Sequence, residues 1–345
     1  MRVAICSSFV PFVNGGARFI VDWLGNRLRE HGHEVEIIYL PMVETPTDLL
    51  QQMAAYRMMD LSDSVDRVIT TRPPAHLIQH PKKVAWFIHH FRMYYDMWDT
   101  PYRGFPDDAQ HRALRAALAR ADTTALAESH RLFTNSQVVA DRVKRYNGLD
   151  AEVLYPPLFD VSHFTDAGQG DEIVYVCRME QHKRQHLLLE AFKYVTTPVK
   201  LRLCGTSSGP GYTNALRAFI VAEQLQDRVT CVDRWITEEE KAQWLSTALA
   251  AAYLPEDEDS YGYPSLEAAQ SSKPIITTTD SGGVLEFVQH GVNGMIAEPD
   301  PRALAEAIDS LWHDRAHTRR MGLAAKERVQ ELKINWDHVL ERLLS

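Results

Sequence analysis

IVYVCRMEQHKRQHLLLEAFKY, residues 173–194, reads as a strand, a charged turn and a helix. Residues 173–177 are a short apolar strand. Residues 186–194 carry leucines and aromatics at helical spacing. The same alternation continues downstream. Strands are expected at 200–204, 229–232, 250–254 and 275–278. Helices are expected at 213–224, 238–247, 265–270 and 303–312. Strands that alternate with helices imply a doubly wound parallel sheet.

Upstream, the pattern is the same. Residues 3–5 are an apolar strand, and the glycine pair Gly15-Gly16 marks a turn. Phe19, Ile20, Trp23, Leu24 and Leu28 recur at helical spacing, and Gly32 stops that helix. Strands are expected at 35–40, 65–70, 84–88 and 132–134. Helices are expected at 108–129 and at 137–146, the second closed near Gly148. The run 84–88 is uniformly apolar, as suits a parallel strand covered on both faces. At Pro156-Pro157 the pattern resets, and 159–171 is polar with Gly168 and Gly170, as in a linker. The fold class is therefore α/β, with two Rossmann-like doubly wound domains at 1–160 and 161–325. A last helix is expected over about 323–344, with Trp336 on it. Ligands of such sheets sit beyond the carboxyl ends of the strands, so the expected site is the cleft between the two sheets.

With 345 residues, two domains are the prior. Hydrophobic residues make up 45% and charged residues 24%, ordinary for a globular protein. The formal net charge of -9 argues against nucleic acid as partner, because duplex binding rests on Lys and Arg. Cys6, Cys177, Cys204 and Cys231 form no C-x2-C pair, which argues against zinc. They read as small buried hydrophobes in a reducing compartment. The N-terminus reads as a first strand and not a signal peptide, and no run approaches the ~18 apolar residues of a spanning helix. The expected location is cytoplasmic, with contact at the inner face of a membrane left open. G-x-G-x-x-G is absent after the first strand, which weakens a dehydrogenase reading.

Three further segments have to be explained together. Cys177-Arg178-Met179-Glu180-Gln181-His182-Lys183 lies between a strand and a helix. Asp259-Ser260-Tyr261-Gly262-Tyr263-Pro264-Ser265-Leu266-Glu267-Ala268 runs from a loop into a helix. Thr279-Asp280-Ser281-Gly282-Gly283 is followed by Glu286 and the turn Asn293-Gly294. In this order and spacing they resemble family 4 of the retaining glycosyltransferases, which have the GT-B fold. The Gly15-Gly16 pair fits the same family. The resemblance covers nearly the whole chain and is strong over 173–298. It implies a nucleotide-sugar donor, UDP- or GDP-linked, and no cofactor. It also implies that the last helix packs back on the first domain.

The resemblance assigns Arg178 and Lys183 to the donor pyrophosphate. A guanidinium can fork two phosphate oxygens and an ammonium adds a point charge. The family commonly has Gly where Cys177 stands. Gly15 and Gly16 would let the backbone approach the same phosphates from the first domain, and Gly282-Gly283 would do so from the second. Glu267, in the first turn of a helix, would accept the ribose hydroxyls. Exposed amides at that helix start, with Tyr261, Gly262 and Tyr263 around them, would attract phosphate or sugar oxygens. The family motif is Glu-x7-Glu. Here its first acid is Asp259, with Glu258 beside it, so either carboxylate could grip the transferred sugar. Asp257-Glu258-Asp259 also matches a D-x-D metal pattern. It follows Pro255 at a strand end, where the family has its sugar-binding acid, and Arg178 and Lys183 would replace a metal's charge.

His89-His90 ends the run 84–88. The family carries a sugar-contacting His near this point, and His89 is favoured over His90. His90, Arg92 and Tyr95 would line the acceptor side. The aromatics from Trp86 to Trp98 suit either core packing or an acceptor wall. The expected acceptor is a carbohydrate, a lipid-linked sugar or a small molecule. No carboxylate pair can be placed for a double displacement. The implied mechanism is a front-face substitution in which the leaving phosphate helps take the acceptor proton. A binding-only protein of the same fold and a GT-B sugar-nucleotide epimerase are the rival readings. The first would bind donor without hydrolysing it, and the second would need no acceptor.

Overall fold

The computed structural model describes residues 1–10, 16–43, 45–100 and 103–345. The chain divides into two units. One comprises Met1–Pro156 and Asn335–Ser345, the other Pro157–Ile334. The divisions thus fall at 156/157 and 334/335, against the 160/161 and 325/326 expected from the sequence.

The first unit runs β1 (Arg2–Phe9), α1 (Gly16–Glu30), β2 (Glu34–Pro41), α2 (Leu49–Arg57), β3 (Arg67–Thr70), β4 (Lys83–Phe87), α3 (Ala109–Ala127), β5 (Arg131–Thr134), α4 (Gln137–Asn147) and β6 (Glu152–Val153). Its six strands lie in the order β2-β1-β3-β4-β5-β6, all parallel. Local chemistry sets the helix ends. Asp108 caps α3 by accepting from His111 N, and Ser136 caps α4 by accepting from Val139 N. Gly148 closes α4 in the left-handed region at φ 70, where glycine meets no Cβ penalty. All five residues of β4 are buried, Lys83 included. The Lys83 ammonium donates to His76 O at 2.8 Å and stands 3.7 Å from Glu128. Burial pushes it down to about 8, against the pull of Glu128.

The second unit runs β7 (Glu172–Val176), α5 (Gln185–Ala191), β8 (Lys200–Gly205), α6 (Pro210–Ala222), β9 (Val229–Asp233), α7 (Glu238–Thr247), β10 (Ala250–Ala252), α8 (Tyr263–Gln270), β11 (Ile275–Thr278), α9 (Val284–Phe287), β12 (Gly294–Ala297), α10 (Pro301–His313) and α11 (Arg315–Glu331). The strand order is β12-β11-β10-β7-β8-β9, again parallel. The stretch expected to be a linker is fastened to this unit. Ala167 N and Gly170 N donate to Ser246 O and Thr247 O, and the buried Lys273 holds Asp166 at 2.7 Å.

The single helix expected over 323–344 is two helices. α11 stops at Glu331, Lys333 takes φ 52, and Asn335 caps α12 (Trp336–Leu344) by accepting from His338 N. α12 belongs to the first unit. Val339, Leu340 and Leu343 are buried, Arg67 donates to the backbone oxygens of Leu343 and Ser345, and Arg342 pairs with Glu152. All four cysteines are free, Cys6 and Cys204 buried, Cys177 and Cys231 half-buried. No helix among the described residues is long and apolar enough to cross a membrane.

Candidate functional site

The second sheet reverses its winding between β7 and β10, and the crevice at such a switch point is where doubly wound sheets bind ligands. The loops that leave these two strands, 177–184 and 253–262, therefore lie side by side. Glu256 N donates to His182 O at 2.9 Å, joining them through backbone.

Lys183 stands at this junction. It is buried, and its ammonium donates to the Tyr253 hydroxyl at 3.0 Å and pairs with Glu258. The Tyr253 hydroxyl in turn donates to Glu258 Oε2 at 3.0 Å. Burial would raise the Glu258 carboxyl, but Lys183 and the phenol hold it below the usual carboxylate range. The backbone of Lys183 is pinned as well, because the buried Tyr175 hydroxyl donates to its carbonyl and accepts from Leu254 N. Arg178, the expected partner of Lys183, is exposed, and its side chain makes no ion pair among the described residues. Glu258, expected as a possible grip on the transferred sugar, is thus engaged by Lys183. Asp259 is half-buried in the next position of the loop.

Arg184 has no counterpart in the sequence reading. It is buried at φ 53, and it ties three loops together. It donates to Leu254 O at 2.8 Å, Pro255 O at 2.7 Å and Thr278 Oγ1 at 2.8 Å, and forks Asp280 at 2.7 and 2.8 Å. Gly282-Gly283, expected to admit a ligand, packs against the loop after β10 on the side where a Cβ would stand. A Cβ on Gly282 would lie 2.5 Å from Glu258 O, and one on Gly283 would lie 2.6 Å from Ser260 Cα. Gly262, at φ 70, seats the Tyr253 ring, which a Cβ there would meet at 2.2 Å. Gly205 does the same for the end of β7, since its Cβ would lie 1.7 Å from Cys177 O.

Glu267 sits in α8 with its side chain almost wholly covered. It accepts from the Lys241 ammonium at 2.5 Å, and Lys241 also reaches Glu238 at 2.8 Å. Burial works to lower Lys241, but the two carboxylates outweigh it and raise it, so the cation stays charged. Tyr261 is buried against Phe287, with its carbonyl accepting from Ser265 Oγ at 2.7 Å. Burial beside Glu267 pushes the half-buried Tyr263 phenol well up.

In the first unit, His89 follows β4 and is half-buried. Its Nδ1 bonds the His90 carbonyl at 2.7 Å, which makes Nδ1 the protonated nitrogen. His90 and Tyr95, expected on the acceptor side, are core residues 2% and 4% exposed. His90 Nε2 bonds Asn147 Oδ1 at 2.9 Å, and burial lowers its pKa. Tyr95 donates to the buried Asp122 at 2.5 Å, which also holds His76 at 2.9 Å. Each of these side chains finds a buried hydrogen-bond partner, although Nδ1 of His76 and of His90 has none. Arg92 donates to Asp96 at 2.7 Å. The aromatics Trp86, Phe87, Phe91, Tyr94 and Trp98 are all core. Gly16 is the exposed first residue of α1, and Gly15 lies outside the described residues.

Sequence reasoning missed Tyr253, Arg184, Lys241 and Gly205. The charge pair Lys183-Arg184 was a signal for the second. The others follow only from which strands neighbour one another. Among the described residues, no group of three or more His, Cys, Asp or Glu side chains converges on a metal position.

The pattern of glycosyl transferases group 1 matches residues 164–328. The chain is 27% identical to the human alpha-1,3/1,6-mannosyltransferase ALG2 over 295 residues, 77% of this chain and 68% of that protein. It spans about half the length of other curated relatives it matches. Two solved structures superpose over nearly the whole chain at 17% identity. They are sucrose-phosphate synthase of Thermosynechococcus elongatus, with TM-score 0.76 over 99% of this chain and 97% of that one, and Anabaena Alr3699/HepE in complex with UDP, with TM-score 0.72 over 99% of both. At that identity the likeness bears on the fold. The chain thus has the GT-B fold, and its residues 164–328 match the pattern of glycosyl transferases group 1.

Proposed function

We propose that the protein transfers a sugar from a UDP- or GDP-linked donor to a carbohydrate, lipid-linked or small-molecule acceptor, with retention and without a metal ion. One observation carries the reading. Two cations, the buried Lys183 and the exposed Arg178, stand on the loop at the switch point of the sheet whose segment matches the family. A leaving nucleoside diphosphate develops negative charge, and fixed cations at that place stabilise it. Arg178 can fork two phosphate oxygens while Lys183 supplies a point charge. The names of the relatives support the class, since one is a mannosyltransferase and one structure was solved with UDP.

On this reading Glu267 takes the ribose through carboxylate oxygen, with Lys241 keeping its side chain in place. Asp259 grips hydroxyls of the transferred sugar. His89, whose Nδ1 is held by the His90 carbonyl, is read as a grip on a sugar hydroxyl. The acceptor proton goes to the departing phosphate in a front-face substitution, so the protein supplies position and charge and no strong base. Four free cysteines fit a reducing cytoplasm.

A thermal-shift screen against UDP, GDP, ADP and dTDP and their sugar conjugates, with and without EDTA, tests this. Ligands that bind the folded state raise the melting temperature. The expected result is a shift with one nucleotide that EDTA leaves unchanged and that Lys183→Ala and Arg178→Ala abolish. Transfer by both variants at the wild-type rate would end the phosphate assignment. Proton NMR of the first-formed product reads the anomeric outcome.

A further inference from the structure

Lys183 is an unusual phosphate ligand in one respect. Its ammonium is buried, and two of its three protons are already used, by the Tyr253 hydroxyl and Glu258. Glu258 is the acid beside the one that matches the family motif. Its Oε2 accepts from both Lys183 and Tyr253, which closes a three-membered ring of hydrogen bonds. The ring has its own supports. The Tyr253 ring lies where a Cβ on residue 262 would stand, and the Lys183 carbonyl is held by Tyr175. The Glu258 backbone is clamped by Gly283 N, which donates to its carbonyl at 2.8 Å.

We infer that Glu258 and Tyr253 form a seat for the Lys183 ammonium, and that Glu258 is a positioning residue for the donor's diphosphate and not a contact of the transferred sugar. This rests on the reading of Lys183 as a phosphate ligand. The physical reason is the lysine stem. Four rotatable bonds leave a free ammonium mobile, and holding it in one rotamer removes that freedom before the donor arrives. The third proton remains for a phosphate oxygen. The carboxylate also cancels the charge of the buried cation, which makes its burial tolerable. The net positive charge offered to the diphosphate then comes from the exposed Arg178.

A double-mutant cycle tests the seat. Calorimetric titration first selects, among UDP, GDP, ADP and dTDP, the nucleotide the wild type binds. Its Kd, and the Kd of its sugar conjugates, are then measured for Lys183→Ala, Glu258→Ala, Glu258→Gln, Tyr253→Phe and Lys183→Ala/Glu258→Ala. Loss of a hydrogen bond to a charged group is expected to weaken Lys183→Ala about tenfold or more. Glu258→Ala is expected to weaken the free diphosphate and its sugar conjugate by the same factor, and to add almost nothing once Lys183 is gone. If Glu258→Ala fails to fold, Glu258→Gln and Tyr253→Phe carry the same comparison.

The seat is refuted if the Glu258 variants weaken only the sugar conjugates, which would make Glu258 a sugar contact. It is equally refuted if they bind the diphosphate more tightly, which would make Glu258 a competitor of the phosphate. Wild-type affinity in Lys183→Ala would overturn the phosphate reading itself and the seat with it.

Discussion

Replacing Arg184 by Met should loosen the second unit at the carboxyl ends of its strands. The methionine keeps much of the apolar stem and removes the guanidinium. Five hydrogen bonds go with it, to Leu254 O, Pro255 O, Thr278 Oγ1 and both oxygens of Asp280. Breaking a buried ion pair by removing one partner costs about 3–5 kcal/mol. Asp280 is 43% exposed in its side chain and can turn to water, so the lower end applies, about 3 kcal/mol. For a unit of this size, each kcal/mol lowers the melting temperature by roughly 2–4 °C, so the expected drop is about 6–12 °C. Scanning calorimetry reads it. The double variant Arg184→Met/Asp280→Asn should fall well short of the sum of the single losses, because the two side chains share the interaction. A drop under about 2 °C, or strict additivity with Asp280→Asn, would refute the claim that Arg184 holds the three loops together.

Two further outcomes are expected. Tyr95→Phe removes the hydroxyl that donates to buried Asp122 and should cost about 1–3 kcal/mol in urea unfolding. If Tyr95 served the acceptor side instead, the loss would appear in KM for the acceptor with stability unchanged. Asp309 accepts from the amides and hydroxyls of Thr196 and Thr197. Burial would raise its carboxyl, but these donors outweigh burial and hold it below its ordinary 3.8. The folded pKa is the lower one, so the stabilisation is present above the ordinary value and is lost as pH falls through the folded one. The stability gap between wild type and Asp309→Asn should therefore be constant near pH 6 and narrow below about pH 4. A gap that widens on acidification would reverse the sign of that argument.

Much of the fold was legible from residue order alone. The alternation of apolar runs with helical spacing marked most of the strands, because each parallel strand must be apolar on both faces and each covering helix on one. Very short elements and those without a clear apolar period were missed. β6 has two residues and β12 four, and neither buries a full apolar run. α2, with its weak apolar periodicity, was missed as well. The break between α11 and α12 was hidden because Leu332 and Ile334 continue a helical pattern while Lys333 turns the chain.

At the candidate site, the alternation of strands and helices placed 177–183 and 259–267 at the ends of strands, and the family resemblance singled out their charged residues. The sequence could not assign partners. Lys183 and Glu258 are 75 residues apart, Lys241 and Glu267 26, and Arg184 and Asp280 96. Each pair meets because the parallel strand order sets one loop, or one covering helix, beside another, an order that periodicity does not encode. The same folding drew His90 and Tyr95 inward, since Asn147 and Asp122 lie where they can satisfy them under cover. Residue chemistry limits which groups can act. The strand order determines which of them meet a ligand and which are already spent on one another.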